Sequence, residues 1–131
     1  MLLTIHPEDP RPIYRQITDQ IKEQIMAGLL RPGEELPSVR ELAAMLRVNM
    51  HTVHRAYQEL KDQGIVLMRL GQKVRVAANA KAGAVREEDR LKLKEEIHRL
   101  SVDAYHLGLS KDDFLRLVTE VLRADAPKEE D

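Results

Sequence analysis

Polar side chains recur at helical spacing between residues 50 and 63 of the 131-residue chain. The polar row consists of His51, Arg55, Gln58 and Asp62, with Thr52 and His54 flanking its start. The opposite row is apolar and consists of Val53, Ala56, Tyr57 and Leu60, the spacing of a helix face that packs against a core. Because Tyr57 lies in this apolar row, a position in the core is favoured for it over stacking on a base. Polar groups at the start of such a helix suit the DNA major groove, where they can reach base edges and phosphates together.

Basic and flexible positions on either side of this helix extend the pattern. Arg40 falls on the first turn of a preceding short helix, where it could grip a phosphate or a base. Gly71 lies in a tight connection between two β-type runs and would let that connection approach a DNA backbone, and Lys73 adds positive charge there. The alternatives are surface roles. Arg40 could pair with Glu41 or Glu59, and the exposed helix residues could be merely solvated.

The segments before the polar helix have readable boundaries. Pro12 sits where a helix can start, because its missing N–H would be unpaired there anyway. The apolar stripe of this first helix is Ile13, Ile17, Ile21 and Ile25. Gly28 ends the helix, and the turn-rich connection that follows has room for one very short strand at Glu35-Leu36.

Two capping signals define a pair of helices after that connection. Ser38 and Glu41 have the spacing of a capping box, which predicts the start of a short second helix. Arg47-Val48 forms the break, and Arg47 stands where many helix-turn-helix motifs have glycine, so a strained turn is expected. Asn49 is a good N-cap for the third helix, which Gly64 stops.

Two β-type runs at residues 65–69 and 73–76 follow, joined by a tight turn, and predict a hairpin. The order helix, helix, turn, helix, hairpin is that of a winged helix-turn-helix. The expected fold class is therefore mainly α with a small β-hairpin, and the third helix is the candidate for the major groove. This domain is expected to span residues 1–78.

The remainder of the chain predicts a second, helical segment over residues 84–124. A linker is expected at 77–83, a long helix from Glu87 to Leu107, and a last helix from Ser110. A heptad seam of Leu93, Ile97, Leu100, Ala104 and Leu107, with Phe114, Leu117 and Val121 on the last helix, predicts dimerisation. The alternative is ordinary packing of the seam against the last helix. Residues 125–131 are expected to form an acidic, disordered tail.

Composition narrows the function classes. Within the net charge of −1, residues 31–80 carry +3 and residues 81–131 carry −3, and the remaining −1 lies in residues 1–30. The asymmetry is mild, but its sign suits a DNA-facing first half. Cysteine is absent, which excludes disulfides and thiolate chemistry and fits a cytoplasmic protein. No signal peptide, membrane span, cofactor or enzyme motif is recognised. His98 and His106 each follow a carboxylate by three residues, which is too little to predict a metal site.

Three segments resemble the GntR family of bacterial regulators: residues 12–17 (Pro-Ile-Tyr-Arg-Gln-Ile), 36–43 (Leu-Pro-Ser-Val-Arg-Glu-Leu-Ala) and 48–60 (Val-Asn-Met-His-Thr-Val-His-Arg-Ala-Tyr-Gln-Glu-Leu). The first and third are similar to its YtrA-like branch, which has a short two-helix C-terminal part. The family pattern covers about residues 10–76. The resemblance implies a homodimeric operator binder, usually a repressor, in a branch often tied to transporter operons.

The resemblance also implies particular DNA contacts: Arg40, Met50, Thr52, His54 and the wing around Gly71. Many relatives have arginine at the positions of Met50 or His54, so base readout here is expected to depend less on arginine. The wing of many relatives reads Gly-x-Gly, whereas this chain has Lys73 at the second glycine position, which favours a phosphate contact.

Two function classes follow. The first is a DNA-binding transcription regulator acting on a palindromic operator as a homodimer, with no effector identified. The alternative is a winged-helix module that docks proteins and ignores DNA. Binding to bulk DNA at low salt, with release as salt rises, would separate the two.

Overall fold

The computed structural model describes residues 1–78 and 86–124. Within these ranges, residues 1–78 form one compact unit and residues 86–124 form another. The predicted tail at 125–131 and most of the predicted linker at 77–83 lie outside the described residues. None of the helices in the two described ranges is long and apolar enough to cross a membrane.

The first unit contains three helices at the predicted places: α1 (Ile13–Met26), α2 (Val39–Leu46) and α3 (Met50–Asp62). The Ser38 hydroxyl accepts a hydrogen bond from the Glu41 N–H at 3.0 Å, which caps the start of α2. The Asn49 side chain accepts from the His51 N–H at 2.7 Å and caps α3 in the same way. The predicted capping residues therefore fix where both helices begin.

A left-handed residue makes the turn between α2 and α3. Arg47 has φ 56° and ψ 47°, and it is the one non-glycine residue with positive φ in the described ranges. Its N–H still donates to the Ala43 carbonyl, so the turn keeps its hydrogen bond. A side chain in this conformation costs about 1 kcal/mol that glycine would avoid. The strain expected from the sequence is therefore present.

The hairpin is shorter than the sequence predicts. Antiparallel strands β1 (Val66–Leu67) and β2 (Arg75–Val76) pair Val66 with Val76. The predicted short strand before α2 is confirmed as a bridge between Glu35 and Arg75, with the Leu36 N–H donating to the Val74 carbonyl at 2.8 Å. Ala77, assigned to the linker from the sequence, belongs to this sheet edge instead, since it is buried and its N–H donates to the Ile65 carbonyl.

The N-terminal segment packs along α1 through a ladder of glutamine side chains. Gln16, Gln20 and Gln24, one helical turn apart, bond the backbone of His6, Thr4 and Leu2 respectively. Each of the first two glutamines uses both its oxygen and its nitrogen on the same residue, as a neighbouring strand would. The segment has no regular secondary structure, as the prolines at its end suggest. Backbone groups of Leu2, Thr4 and His6 are nevertheless hydrogen-bonded, because α1 side chains bind them.

A single core closes the first unit. The apolar faces of α1 and α3 meet there, and Ile17, Ile21, Val53, Ala56, Tyr57 and Leu60 have no exposed surface. The predicted apolar row of the third helix is thus confirmed as its buried face. The Tyr57 hydroxyl donates to the Pro37 carbonyl at 2.7 Å, and burial raises the pKa of Tyr57 well above its ordinary value. This bond fastens α3 to the residue that precedes Ser38, the N-cap of α2.

The second unit is a pair of helices, α4 (Glu87–His106) and α5 (Lys111–Ala124). Gly108, with φ +89°, reverses the chain after α4. Ser110 and Asp113 cap α5 reciprocally, because each backbone N–H bonds the other side chain, at 3.1 and 3.2 Å. Of the apolar residues at 86–124, Ala104 is the one that is buried.

Candidate nucleic-acid interface

Arg40 projects from the first turn of α2 into solvent. Its guanidinium forms neither a hydrogen bond nor an ion pair with any other residue of the ranges 1–78 and 86–124. The two carboxylates that could have neutralised it are engaged elsewhere: Glu41 with Lys73 at 3.4 Å and Glu59 with Arg15 at 3.6 Å. The Tyr57–Pro37 hydrogen bond ties the start of α2 to α3. A guanidinium held in this way, with all its donors free, is suited to a phosphate or a guanine edge.

The start of α3 presents a varied set of groups. Met50, His51 and His54 are exposed, and Thr52 is half-buried. Together they offer ring nitrogens, a hydroxyl and an apolar thioether, which can contact base acceptors, phosphates and a thymine methyl respectively. The predicted polar side of this helix therefore faces solvent over its first two turns.

Arg55 has a partner that the sequence did not indicate. Its Cζ lies 3.7 Å from the centroid of the Tyr14 ring on α1, a cation–π contact. Stacking uses the face of the guanidinium and leaves its N–H edge available. Tyr14 thus orients a predicted DNA-binding side chain from a helix that was assigned only a core role.

Gln58 and Asp62 close off the far end of the polar row. The Gln58 amide donates to the Asp62 carboxylate at 3.0 Å, one turn further along α3. This internal bond occupies one of the donors that Gln58 could direct at a base. The recognition groups with free donors are therefore concentrated at the N-terminal end of the helix.

The wing turn is built on Gly71. Its φ is +74°, and a Cβ added there would meet nothing within 4 Å, so glycine is needed for backbone conformation and not for space. The Gln72 N–H donates to the Arg69 carbonyl at 3.0 Å across the turn. Lys73 follows, and its ammonium is held by Glu41 of α2. The structure thus brings Lys73 to α2, 32 residues earlier in the chain.

A second surface lies within residues 86–124. The helices α4 and α5 enclose an apolar groove of about 600 Å³. It is lined by seven of the eight predicted dimerisation residues: Ile97, Leu100, Ala104, Leu107, Phe114, Leu117 and Val121. Leu93, the eighth, does not line it and is 63% exposed. The seam therefore packs partly on α5, as the intramolecular alternative expected, yet most of its side chains keep half or more of their surface exposed.

Within residues 1–78 and 86–124, no group of three or more histidines and carboxylates is placed to hold a metal ion. His98 and His106 are exposed on α4, and the ring of His106 packs edge-on against Tyr105.

Comparison with known proteins identifies this arrangement. The sequence profile described as "Bacterial regulatory proteins, gntR family" matches residues 13–76, from the start of α1 to the end of β2. Over 120 residues the chain is 36% identical to the HTH-type transcriptional repressor YtrA of Bacillus subtilis, a match covering 92% of each protein. The chain belongs to the GntR family. It is a DNA-binding transcription regulator of that family, and the resemblance seen in the sequence is confirmed.

Solved structures agree with this assignment. YtrA from Sulfolobus acidocaldarius, a GntR-family transcription factor, is 39% identical with a TM-score of 0.55, over 93% of this chain and 97% of that one. The DNA-binding domain of AraR, solved in complex with its operator ORX1, is 28% identical with a TM-score of 0.51, over 57% of this chain and 93% of that one. The winged helix-turn-helix fold is thus confirmed, and the family and its named relatives are regulators, not enzymes.

Two residues that hold candidate DNA-binding side chains were not predicted from the sequence. Tyr14 and Glu41 both lie in family-like segments, but their partners Arg55 and Lys73 come from distant parts of the chain. The Pro-Ile-Tyr-Arg opening was the one signal available for Tyr14, since an aromatic residue beside an apolar stripe need not be core. Glu41 was assigned only to the helix cap.

Proposed function

We propose that this GntR protein is a homodimeric repressor that binds an inverted-repeat operator. The first unit contacts DNA and the second pairs two copies. The operon it controls is proposed to encode a transporter, the class of target that the resemblance to the YtrA-like branch implies. The roles follow the division of the chain into residues 1–78 and 84–124, which stays a prediction, as do the individual DNA contacts.

The observation that carries DNA binding is the unpartnered guanidinium of Arg40, together with the exposed polar start of α3. In this proposal Arg40 forms a bidentate contact with a guanine or a phosphate. Met50, Thr52 and His54 contact base edges, and His51, Arg55 and Gln58 contact phosphates or the outer bases. Gly71 lets the wing turn approach the backbone, and Lys73 contacts a phosphate beside the groove.

The observation that carries dimerisation is the open apolar groove between α4 and α5. Exposed apolar surface of this extent is unfavourable in water unless another surface covers it. A second copy is the proposed partner, because a twofold axis brings the same apolar surface of two copies together and the heptad spacing of α4 provides a regular seam. A symmetric dimer then predicts an operator with matching half-sites.

Selection of bound duplexes from a random DNA pool tests both halves together. The expected result is an enriched inverted repeat whose half-sites are separated by about one helical turn. Arg40→Ala run in parallel should enrich the repeat poorly. An enriched single half-site would reject the symmetric dimer. No enrichment, together with no binding to bulk DNA at low salt, would reject DNA binding and favour the protein-docking alternative.

A further inference from the structure

The wing lysine is held by a carboxylate that belongs to the DNA-facing helix α2. Lys73 Nζ lies 3.4 Å from Glu41 Oε1, and both side chains are about half exposed. Hydrogen bonding with Ser38, and then the charge of Lys73, keeps the pKa of the Glu41 carboxyl below its ordinary value. Glu41 directly follows Arg40 in the chain, so the charged partner of Lys73 stands next to the proposed principal DNA contact.

We propose that Glu41 is a specificity-determining positioning residue, which restrains Lys73 and so withholds its charge from DNA of unrelated sequence. This inference rests on the proposed DNA-binding function and assigns Glu41 a role beyond the helix cap. Glu41 acts through Lys73, without contacting a base.

The physical basis is competition between a carboxylate and a phosphate for one ammonium group. Binding to unrelated DNA depends almost wholly on phosphate contacts, each of which adds about 0.9 to the slope of log affinity against log salt. A lysine already paired with Glu41 contributes less to that sum. In the operator complex, base contacts hold the wing beside one phosphate, which can take Lys73 from Glu41, whereas unrelated DNA fixes no phosphate there. Unrelated DNA therefore loses more of the Lys73 contact than the operator does, and the ratio of operator to unrelated affinity rises. Because the pair is exposed, a well-placed phosphate can still displace it.

A neighbouring ion pair provides a matched control. Arg75 of β2 contacts Glu35 at 2.7 Å, and it also donates to the Gly33 carbonyl at 3.2 Å. Like Glu41→Gln, Glu35→Gln removes one negative charge from the first unit, residues 1–78. Arg75 keeps its carbonyl partner, so this variant is not expected to release a cation toward DNA. Any effect of Glu41→Gln beyond that of Glu35→Gln is therefore local to Lys73 and Arg40.

The test measures affinity against salt for a mixed-sequence duplex that contains no inverted repeat, and for the selected operator duplex. The full-length protein is compared with Glu41→Gln, Glu35→Gln, Lys73→Gln and the double variant Glu41→Gln/Lys73→Gln. Glutamine at position 41 preserves the cap of α2, because the cap is the hydrogen bond from the backbone N–H of residue 41 to the Ser38 hydroxyl. Circular dichroism confirms that each variant remains folded.

Glu41→Gln should bind the mixed-sequence duplex up to about fivefold more tightly, the range expected for release of one exposed ion pair, with a salt slope steeper by about 0.9. An equal gain in affinity for both duplexes in Glu41→Gln would overturn the inference. Glu35→Gln should match the parent protein in slope. In the Lys73→Gln background the slope should no longer respond to Glu41→Gln. An unchanged slope in Glu41→Gln, or an equal change with and without Lys73, would also overturn it. If the parent protein fails to bind the mixed-sequence duplex at low salt, it is the proposed function that fails.

Discussion

The two units of this protein treat their apolar residues in opposite ways. In residues 1–78 the apolar faces of α1 and α3 close on each other, and Ile17, Val53 and Leu60 are fully buried. In residues 86–124, Ile97 and Leu100 keep more than half of their surface exposed. The first unit buries its apolar side chains in its own core and exposes polar and basic side chains that can contact DNA. The second has apolar surface left over, which a second copy would cover in the proposed dimer.

The largest expected effect comes from charging the seam. Ile97→Glu/Leu100→Glu places two carboxylates in the α4–α5 groove, where burial against a partner would desolvate them. The variant should be monomeric by analytical ultracentrifugation and should lose the avidity of two linked DNA-binding units.

The matched control for the seam is Leu91→Glu/Val102→Glu, because both residues are exposed on α4 and neither lines the groove. This double variant should stay dimeric. If the seam variant remains dimeric and dimerises with unchanged affinity, the exposed seam of the second unit is not a dimer interface.

A smaller effect is expected from a cavity in the closed unit. Leu60→Ala removes a fully buried side chain and should lower the free energy of unfolding by about 2–5 kcal/mol. Urea titration followed by circular dichroism measures this loss. Leu67→Ala, at a position 41% exposed, serves as the control and should cost much less. Equal losses at the two positions would contradict the packing described for β1 and α3.

Arg40 tests whether recognition belongs to the first unit alone. Arg40→Ala should weaken binding to the selected operator by about 1–3 kcal/mol if the contact is bidentate to a base, with the dimer intact. A phosphate contact would instead weaken binding to all sequences alike and flatten the salt slope. Arg99→Ala removes an equal charge from the second unit, so a similar loss there would show that the effect is only one of net charge.

The smallest expected effect concerns the turn between α2 and α3. Arg47→Gly relieves a left-handed side chain at φ 56° and should stabilise the first unit by up to about 1 kcal/mol, measured by urea denaturation. Ala44→Gly, at an exposed position inside α2, should destabilise it by a similar amount. Destabilisation by both substitutions would mean that the Arg47 side chain contributes more than its backbone costs.

Local signals in the sequence determined the elements of the first unit. Caps at Ser38 and Asn49 and the apolar spacing of α1 and α3 act within a turn or two of the chain, so each could be read without knowing the fold. The short strand before α2 and a strained turn at Arg47 were predicted for the same reason. The hairpin strands and the start of the linker were placed less well, because strand length depends on which backbone lies alongside.

Only the tertiary structure decided how the recognition side chains are held. Arg55 stacks on Tyr14 and Lys73 pairs with Glu41 because folding brings together residues that are 41 and 32 positions apart. No periodicity in the sequence encodes such pairs, since either partner alone would be an ordinary surface residue. The glutamine ladder along α1 arises in the same way. The heptad spacing of α4 likewise predicts its apolar face. Only the structure shows that α5 covers this face in part and leaves the rest of it exposed.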